Sequence, residues 1–349
     1  MPLLKGEAVV FKEPRKQKGL KRFGTLSNHP DVPVGPTPRK AVWKRNKATL
    51  WYYPAPVKNM RTPLFLVYSL VNQAFILDLG PGASMIEGFT QAGYDVYLLD
   101  FGIPGYEDKH LTLGDYIFDY IQTGVRRALR HSGADEITMI GYCLGGTLAL
   151  IYAAVANEPI KNLILFATPV DIGEVPYMDK WTNAIKRGDL KMNEIIDEYG
   201  VIPAKVMEFW LRLITAPVNV TPYLALLGRL NDKNYIRKWK QFDKWVKGHV
   251  PFAGAAFKEL INELLIKNKL IKNKLELRGK KVSLKKIKAN LLVVSTEADA
   301  LIPEEMTKPL MSKVASRDKT YKRVRGGHVS LAIKGGLPDF LAEWLQKRS

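Results

Sequence analysis

A hexapeptide at residues 141–146, Gly-Tyr-Cys-Leu-Gly-Gly, combines a nucleophilic thiol with three glycines. The apolar segments before and after it, residues 136–142 and 144–156, predict a strand and a helix. The pattern is the nucleophile elbow G-x-S-x-G with Cys143 in place of serine. Gly141, Gly145 and Gly146 allow backbones to pass closely, and the helix N-terminus favours a thiolate and an oxyanion. We expect Cys143 to carry a covalent acyl group. The alternative is a buried, inert cysteine.

An acid and a histidine follow Cys143 in the order that such a nucleophile requires. Asp299 ends the apolar segment 289–299, and functional residues gather at the carboxyl ends of strands in open α/β sheets. His328 follows two glycines in a predicted loop, which is not typical of a core position. The alternatives are a turn aspartate and a surface histidine. We interpret the remaining histidines as structural or surface residues: His29, His110, His131 and His249.

An oxyanion hole for acyl transfer needs two backbone N–H groups. One should come from Leu144, directly after the nucleophile. For the other we favour Val71, in the loop after an early predicted strand.

Strands and helices alternate along much of the chain, which predicts an α/β fold with a mostly parallel sheet and helices on both faces. The predicted strands are residues 49–53, 63–71, 94–101, 136–142, 162–170 and 289–299, and a helix is expected near residues 304–314. The alternation lapses between residues 171 and 275, where the pattern is helical and rich in tryptophan. We predict a basic, proline-rich arm (1–40), two parts of one core (41–170 and 276–349) and a helical cap insertion (171–275).

Composition restricts the class of protein and its partners. The chain has 349 residues and a net charge of +19, which favours an anionic partner. No nucleic-acid-binding motif is present, so we expect no nucleic acid partner. We find neither an uninterrupted apolar run of about 18 residues nor a secretion signal, and therefore expect a cytoplasmic protein with no transmembrane segment. A single cysteine permits no disulfide within the chain, and we predict no metal.

The thiol suggests acyl transfer from a thioester, because the acyl–sulfur bond made matches the one broken. Acyl-CoA is then a substrate, and we predict no cofactor. CoA carries phosphate charges that Lys322, Arg323 and Arg325, shortly before His328, could contact. The alternative is a solvated basic edge.

Several segments together resemble the polyhydroxyalkanoate synthases of the α/β-hydrolase superfamily, in particular the short, two-component type. They are GYCLGGT, residues 63–105, WVKGHVPFAGAAFKELINELLIKNKL, ANLLVVSTEADALIP and GGHVS. The resemblance implies polymerisation of (R)-3-hydroxyacyl-CoA to a polyester with release of CoA. It implies that Cys143 is acylated, that His328 is the base, and that Asp299 orients His328 or helps to activate the 3-hydroxyl.

The resemblance also implies partners: a small second synthase subunit, the polyester granule surface and, as one allowed assembly, a homodimer.

Two positions depart from the family pattern, which commonly has Asp-His and Pro-Gly where this chain has Asp299-Ala300 and Ala253-Gly254. Two alternatives therefore stay open. One is a thioesterase or esterase-type hydrolase, and the other is a catalytically impaired, granule-associated paralogue.

Overall fold

The structure is a computed structural model, and it describes residues 32–173, 176–189, 191–214 and 232–349. Most strands are short, apolar segments. In chain order they are β1 (Lys40–Arg45), β2 (Ala48–Tyr53), β3 (Leu64–Val67), β4 (Asp78–Gly80), β5 (Ala83–Ser84), β6 (Val96–Asp100), β7 (Ile137–Tyr142), β8 (Ile160–Phe166), β9 (Val201–Ile202), β10 (Phe252–Ala253), β11 (Glu276–Leu277), β12 (Lys280–Lys281), β13 (Asn290–Thr296) and β14 (Lys319–Val324).

Helices connect most of these strands. In chain order they are α1 (Met85–Gln91), α2 (Leu113–Asp115), α3 (Gln122–Ser132), α4 (Leu144–Val155), α5 (Pro176–Arg187), α6 (Met192–Tyr199), α7 (Ala204–Ile214), α8 (Lys233–Val246), α9 (Gly254–Glu259), α10 (Glu304–Thr307), α11 (Leu310–Lys313), α12 (Ser330–Ile333) and α13 (Asp339–Gln346). Two π-helical segments, Tyr116–Ile121 and Leu260–Ile266, follow α2 and α9.

Eight of the described strands form one sheet in the order β1-β2-β6-β3-β7-β8-β13-β14. The pairs β1/β2 and β2/β6 are antiparallel, and every other neighbouring pair in this sheet is parallel. Strands β3 and β7 are buried throughout, as expected when helices cover both faces of a parallel sheet. The predicted fold class is confirmed.

The structure corrects the predicted bounds of several elements. Strand β1 was not predicted, because its charged ends hide a short apolar centre. The strand predicted for residues 63–71 ends at Val67, where the chain leaves the sheet to pass over the elbow at Gly145. The helix predicted near residues 304–314 is two short helices, α10 and α11, since Pro309 lies between them.

The predicted cap corresponds to helices α5 to α9 and the two-stranded ribbon β9/β10. Most of the predicted N-terminal arm lies outside the described residues. Its last part runs beside the core, and Gly35 N donates a hydrogen bond to Asp78 O at 2.8 Å. The boundaries between the four predicted segments stay predictions.

Candidate active site

The turn between β7 and α4 consists of Cys143, which precedes the first residue of a buried helix. Its φ of 53° is uncommon for a residue other than glycine, and the surrounding structure must offset that strain. Cys143 N donates to Phe166 O at 2.9 Å, and Gly146 N donates to Cys143 O at 2.8 Å. The turn therefore holds the thiol at the carboxyl edge of the parallel strands.

Three glycines allow the close contacts around this turn. A β-carbon on Gly141 would overlap the Cα atom of Gly146. A β-carbon on Gly145 would overlap the backbone carbonyl groups of Val67 and Tyr68. The last contact places the loop after β3 directly against the elbow.

Asp299 and His328 follow the neighbouring strands β13 and β14. His328 Nδ1 lies 2.8 Å from Asp299 Oδ2, and the Asp299 side chain has no exposed surface. The backbone N–H groups of Leu301 and Ile302 donate to Asp299 Oδ1 at 3.0 and 2.8 Å. Tyr142 OH donates to His328 O at 2.6 Å, which ties the histidine loop to the strand before the elbow. The structure thus brings the predicted acid and histidine together.

The side chain of His328 also forms a hydrogen bond with Cys143. Burial lowers the pKa of His328, but the negative charge of Cys143 and the hydrogen bonds to Asp299 and Cys143 outweigh burial and raise it. The imidazolium therefore persists above the usual histidine range, beside the Cys143 sulfur. Such a pair can perform nucleophilic substitution at a carbonyl carbon.

We expect the substitution Cys143→Ala to lower the pKa of His328, because it removes a negative charge and a hydrogen bond that raise this pKa. Asp299→Asn should also lower it, since the neutral amide supports the imidazolium less well. A pH titration of the histidine ring resonances by NMR measures the midpoint. An unchanged midpoint in Cys143→Ala would contradict a charged pair of thiolate and imidazolium.

The two predicted oxyanion donors belong to different segments, the start of α4 and the loop after β3. The Leu144 N–H belongs to the first turn of α4, where backbone donors have no acceptor within the helix. The Val71 N–H donates to Ser69 Oγ at 3.3 Å, a long contact with which a bound oxyanion would compete. Val71 and Cys143 line the same cavity. Their assignment as oxyanion donors stays a prediction.

Cys143 and His328 lie on the wall of a cavity of about 330 Å³. Much of this wall is apolar and comes from helices of the predicted cap. Helix α7 contributes Leu211, and α8 contributes three aromatic side chains: Trp239, Phe242 and Trp245. A wall of this kind suits the hydrocarbon part of an acyl group.

The three basic residues predicted to contact CoA are not among the described residues that line this cavity. Lys322 Nζ lies 5.8 Å from an aromatic ring of α13, and Arg323 Nε lies 3.6 Å from Glu304 Oε2. Arg325 lies beyond the end of β14. Arg212, from α7, lines the cavity instead. A CoA contact by the three residues stays a prediction, and it would have to form outside the cavity.

His249 lines the cavity, although we interpreted it from the sequence as a structural or surface residue. The segment that carries it lies against the loop after β3. His249 forms a β-bridge with Asn72, and Val250 N donates to Val71 O at 3.3 Å. The sequence could not indicate this position, because the contact joins residues far apart along the chain.

No group of three His, Cys, Asp or Glu side chains in the described ranges is arranged to hold a metal ion. None of the described helices has both the length and the apolar character needed to cross a bilayer.

Comparison with known proteins identifies the fold. Residues 75–333 match the family model of the alpha/beta hydrolase fold. The monoacylglycerol lipase of Paleococcus ferrophilus superposes with a TM-score of 0.53 at 16% identity, covering 87% of this chain and 100% of the lipase. A soluble variant of the Saccharomyces cerevisiae monoglyceride lipase gives a TM-score of 0.55 at 14% identity, covering 91% and 97%. These structures support the fold alone.

Curated relatives identify the family. The poly(3-hydroxyalkanoate) polymerase subunit PhaC of Thiocystis violacea is 30% identical over 334 residues, covering 93% of this chain and 92% of the relative. The chain belongs to the PhaC polymerase family. PhaC of Haloferax mediterranei is 32% identical over 331 residues, and PhaC of Haloarcula marismortui is 31% identical over 332. The matches cover 66% and 69% of these two archaeal PhaC chains, about two thirds of their length. The predicted family and its class, acyltransferase enzymes, are confirmed.

The two departures from the PhaC pattern have defined positions. Ala300 lines the cavity beside Asp299, so its small side chain leaves space there. Ala253 is fully buried and precedes Gly254 at the start of α9. The first departure therefore changes the wall of the candidate site, whereas the second lies in the core.

Proposed function

We propose that this chain polymerises (R)-3-hydroxyacyl-CoA into polyhydroxyalkanoate, with release of CoA, through a thioester on Cys143. One observation carries the proposal: Cys143 and His328, which is bound to the buried Asp299, lie on the wall of a largely apolar cavity. Membership of the PhaC family supports the reaction class, since its members are named poly(3-hydroxyalkanoate) polymerases.

Acylation is the first step of the proposed reaction. The Cys143 thiolate attacks the thioester carbonyl carbon, the bond from that carbon to the CoA sulfur breaks, and the His328 imidazolium gives its proton to the leaving CoA thiolate. Asp299 orients the imidazole ring through the bond to Nδ1. The N–H groups of Leu144 and Val71 would bind the oxyanion that forms on the carbonyl.

A thiol suits this step better than a hydroxyl. The acyl–sulfur bond that forms on Cys143 is of the same kind as the bond that breaks in acyl-CoA, so acylation is close to thermodynamically neutral. Transfer of the acyl group from sulfur to a hydroxyl then forms an ester, which is the linkage of the polymer.

The count of cysteines limits how the chain can grow. Cys143 is the only cysteine, so the polymer cannot pass between two thiols of one subunit. Either the hydroxyl of an incoming unit attacks the single thioester, or two Cys143 residues from different subunits cooperate. We favour the first route.

The proposed partners follow from the family. They are a small second synthase subunit, the surface of a polyester granule in the cytoplasm, and a second copy of this chain in a homodimer. The net charge of +19 is compatible with a negatively charged substrate such as CoA. No cofactor or metal is part of the proposal.

Release of CoA from (R)-3-hydroxybutyryl-CoA tests the proposed function. We expect release together with polymer, measured for the purified chain alone and with a co-expressed small partner subunit. Release of CoA with only free hydroxy acid would instead establish a thioesterase. No release under either condition would favour an impaired paralogue, unless a longer acyl chain restores the reaction.

A further inference from the structure

The proposed reaction needs a base that accepts the proton of the 3-hydroxyl of the incoming unit. Asp299 is unsuited to this role, because both oxygens of its carboxylate already have hydrogen-bond partners. Its Oδ1 accepts two backbone hydrogen bonds, and its Oδ2 binds His328 Nδ1 at 2.8 Å. The carboxylate is therefore occupied in holding the histidine and two backbone N–H groups, and neither oxygen is left without a partner.

Other polar side chains on the cavity wall are also engaged. Asn72 donates through its amide nitrogen and accepts through its amide oxygen, in both cases with backbone groups. Asp243 pairs with Lys247 at 2.6 Å. Ser330 Oγ accepts from Gly327 N at 2.7 Å. None of these three is a proton acceptor without a partner.

His249 differs from them. It lines the same cavity as Cys143 and His328, and its Nδ1 is buried without a hydrogen-bond partner among the described residues. Burial lowers the pKa of His249, and the positive charge of Arg212 acts in the same direction, whereas Glu208 and the Val246 backbone oppose them. A neutral imidazole of this kind can accept a proton.

The backbone of His249 is fixed close to the reacting centre. Its β-bridge to Asn72 and the hydrogen bond from Val250 N to Val71 O at 3.3 Å attach it to the loop after β3. The same loop packs on Gly145 of the elbow. The imidazole thus belongs to the wall of the cavity that holds the sulfur of Cys143.

We propose that His249 is the base that accepts the proton of the 3-hydroxyl of the incoming unit. His328 acts in the other step, the acylation of Cys143. This inference rests on the proposed function. In the transfer step the hydroxyl oxygen bonds to the thioester carbonyl carbon, and the bond from that carbon to Cys143 Sγ breaks, which regenerates the thiolate. The hydroxyl proton passes to His249 and returns through solvent to His328. The product is a CoA ester longer by one unit, which acylates Cys143 again.

The test separates acylation from transfer. We expect His249→Leu to form acyl-Cys143 at the native rate, observed by intact-protein mass spectrometry, and then to accumulate it. Steady-state CoA release from (R)-3-hydroxybutyryl-CoA should fall about 100-fold, the lower end for loss of a general base. His249→Gln, which restores a hydrogen-bond acceptor but not a base, should recover only part of the rate. Butyryl-CoA, which lacks the hydroxyl, should acylate native and His249→Leu protein equally.

The outcomes distinguish this inference from the function on which it rests. His110→Leu is the matched control, because His110 is exposed and is not among the residues that line the cavity. Unchanged CoA release in His249→Leu would overturn the inference and assign both steps to His328. Slow acylation of folded His249→Leu would also overturn it, because His249 would then act on loading. If the native protein forms no acyl-Cys143 from either thioester, the proposed function itself fails.

Discussion

Cys143→Ala is expected to reduce CoA release by about 10⁴-fold or more, because it removes the nucleophile that forms the acyl intermediate. The fold should tolerate the change. Cys143 is only 9% exposed, but the substitution removes a single sulfur atom and leaves the hydrogen bonds of the turn, which involve the backbone. CoA release measured with a thiol reagent, together with thermal unfolding of the same preparation, gives both quantities.

Cys143→Ser is the companion variant. It keeps the elbow and replaces the thiol by a poorer nucleophile, so a slow residual acylation is expected. The nucleophile assignment would fail if Cys143→Ala, shown to be folded, turned over at a rate near that of the native protein.

Gly145→Ala is expected to impair both the fold and the reaction. The added carbon would overlap the carbonyl groups of Val67 and Tyr68, so the loop after β3 must move away from the elbow. Overpacking of this kind costs about 1 to 3 kcal/mol of unfolding free energy. Displacement of the predicted oxyanion donor Val71 should reduce CoA release by about 10²- to 10³-fold. Chemical denaturation and CoA release measure the two effects.

Gly133→Ala is the matched control for this substitution. Gly133 has a φ of 70°, and apart from its neighbours along the chain no heavy atom of the described residues lies within 4 Å of the added carbon. It should therefore cost only the strain of a left-handed alanine, about 1 to 2 kcal/mol, with CoA release unchanged. If Gly145→Ala released CoA at the native rate, the loop would not depend on its contact with the elbow.

The sequence predicts the central part of this site well because the relevant patterns are local. A strand, a glycine-flanked cysteine and a helix follow one another within residues 136–156. The ends of two further strands, β13 and β14, place Asp299 and His328 beside each other. Parallel strands meet at one edge of a sheet, so the order of these residues along the chain is enough to indicate their proximity.

The missed features depend on contacts between distant segments. His249 reaches the cavity because its segment pairs with Asn72, and no local pattern indicates that pairing. The basic residues before His328 do not line the cavity, and their contact with CoA stays a prediction. Lys322 and Arg323 are neighbours in β14, so their side chains point to opposite faces of the sheet and cannot both face one opening.

Both outer strands of the sheet, β1 and β14, carry exposed basic side chains. An outer strand has backbone N–H and C=O groups on one side that no neighbouring strand satisfies, and such a strand invites pairing with another molecule. Like charges repel when two copies approach in this way: Lys40, Lys44 and Arg45 on β1, and Lys319, Lys322 and Arg323 on β14. Part of the excess positive charge therefore protects an eight-stranded sheet from aggregation, whatever anion the protein binds.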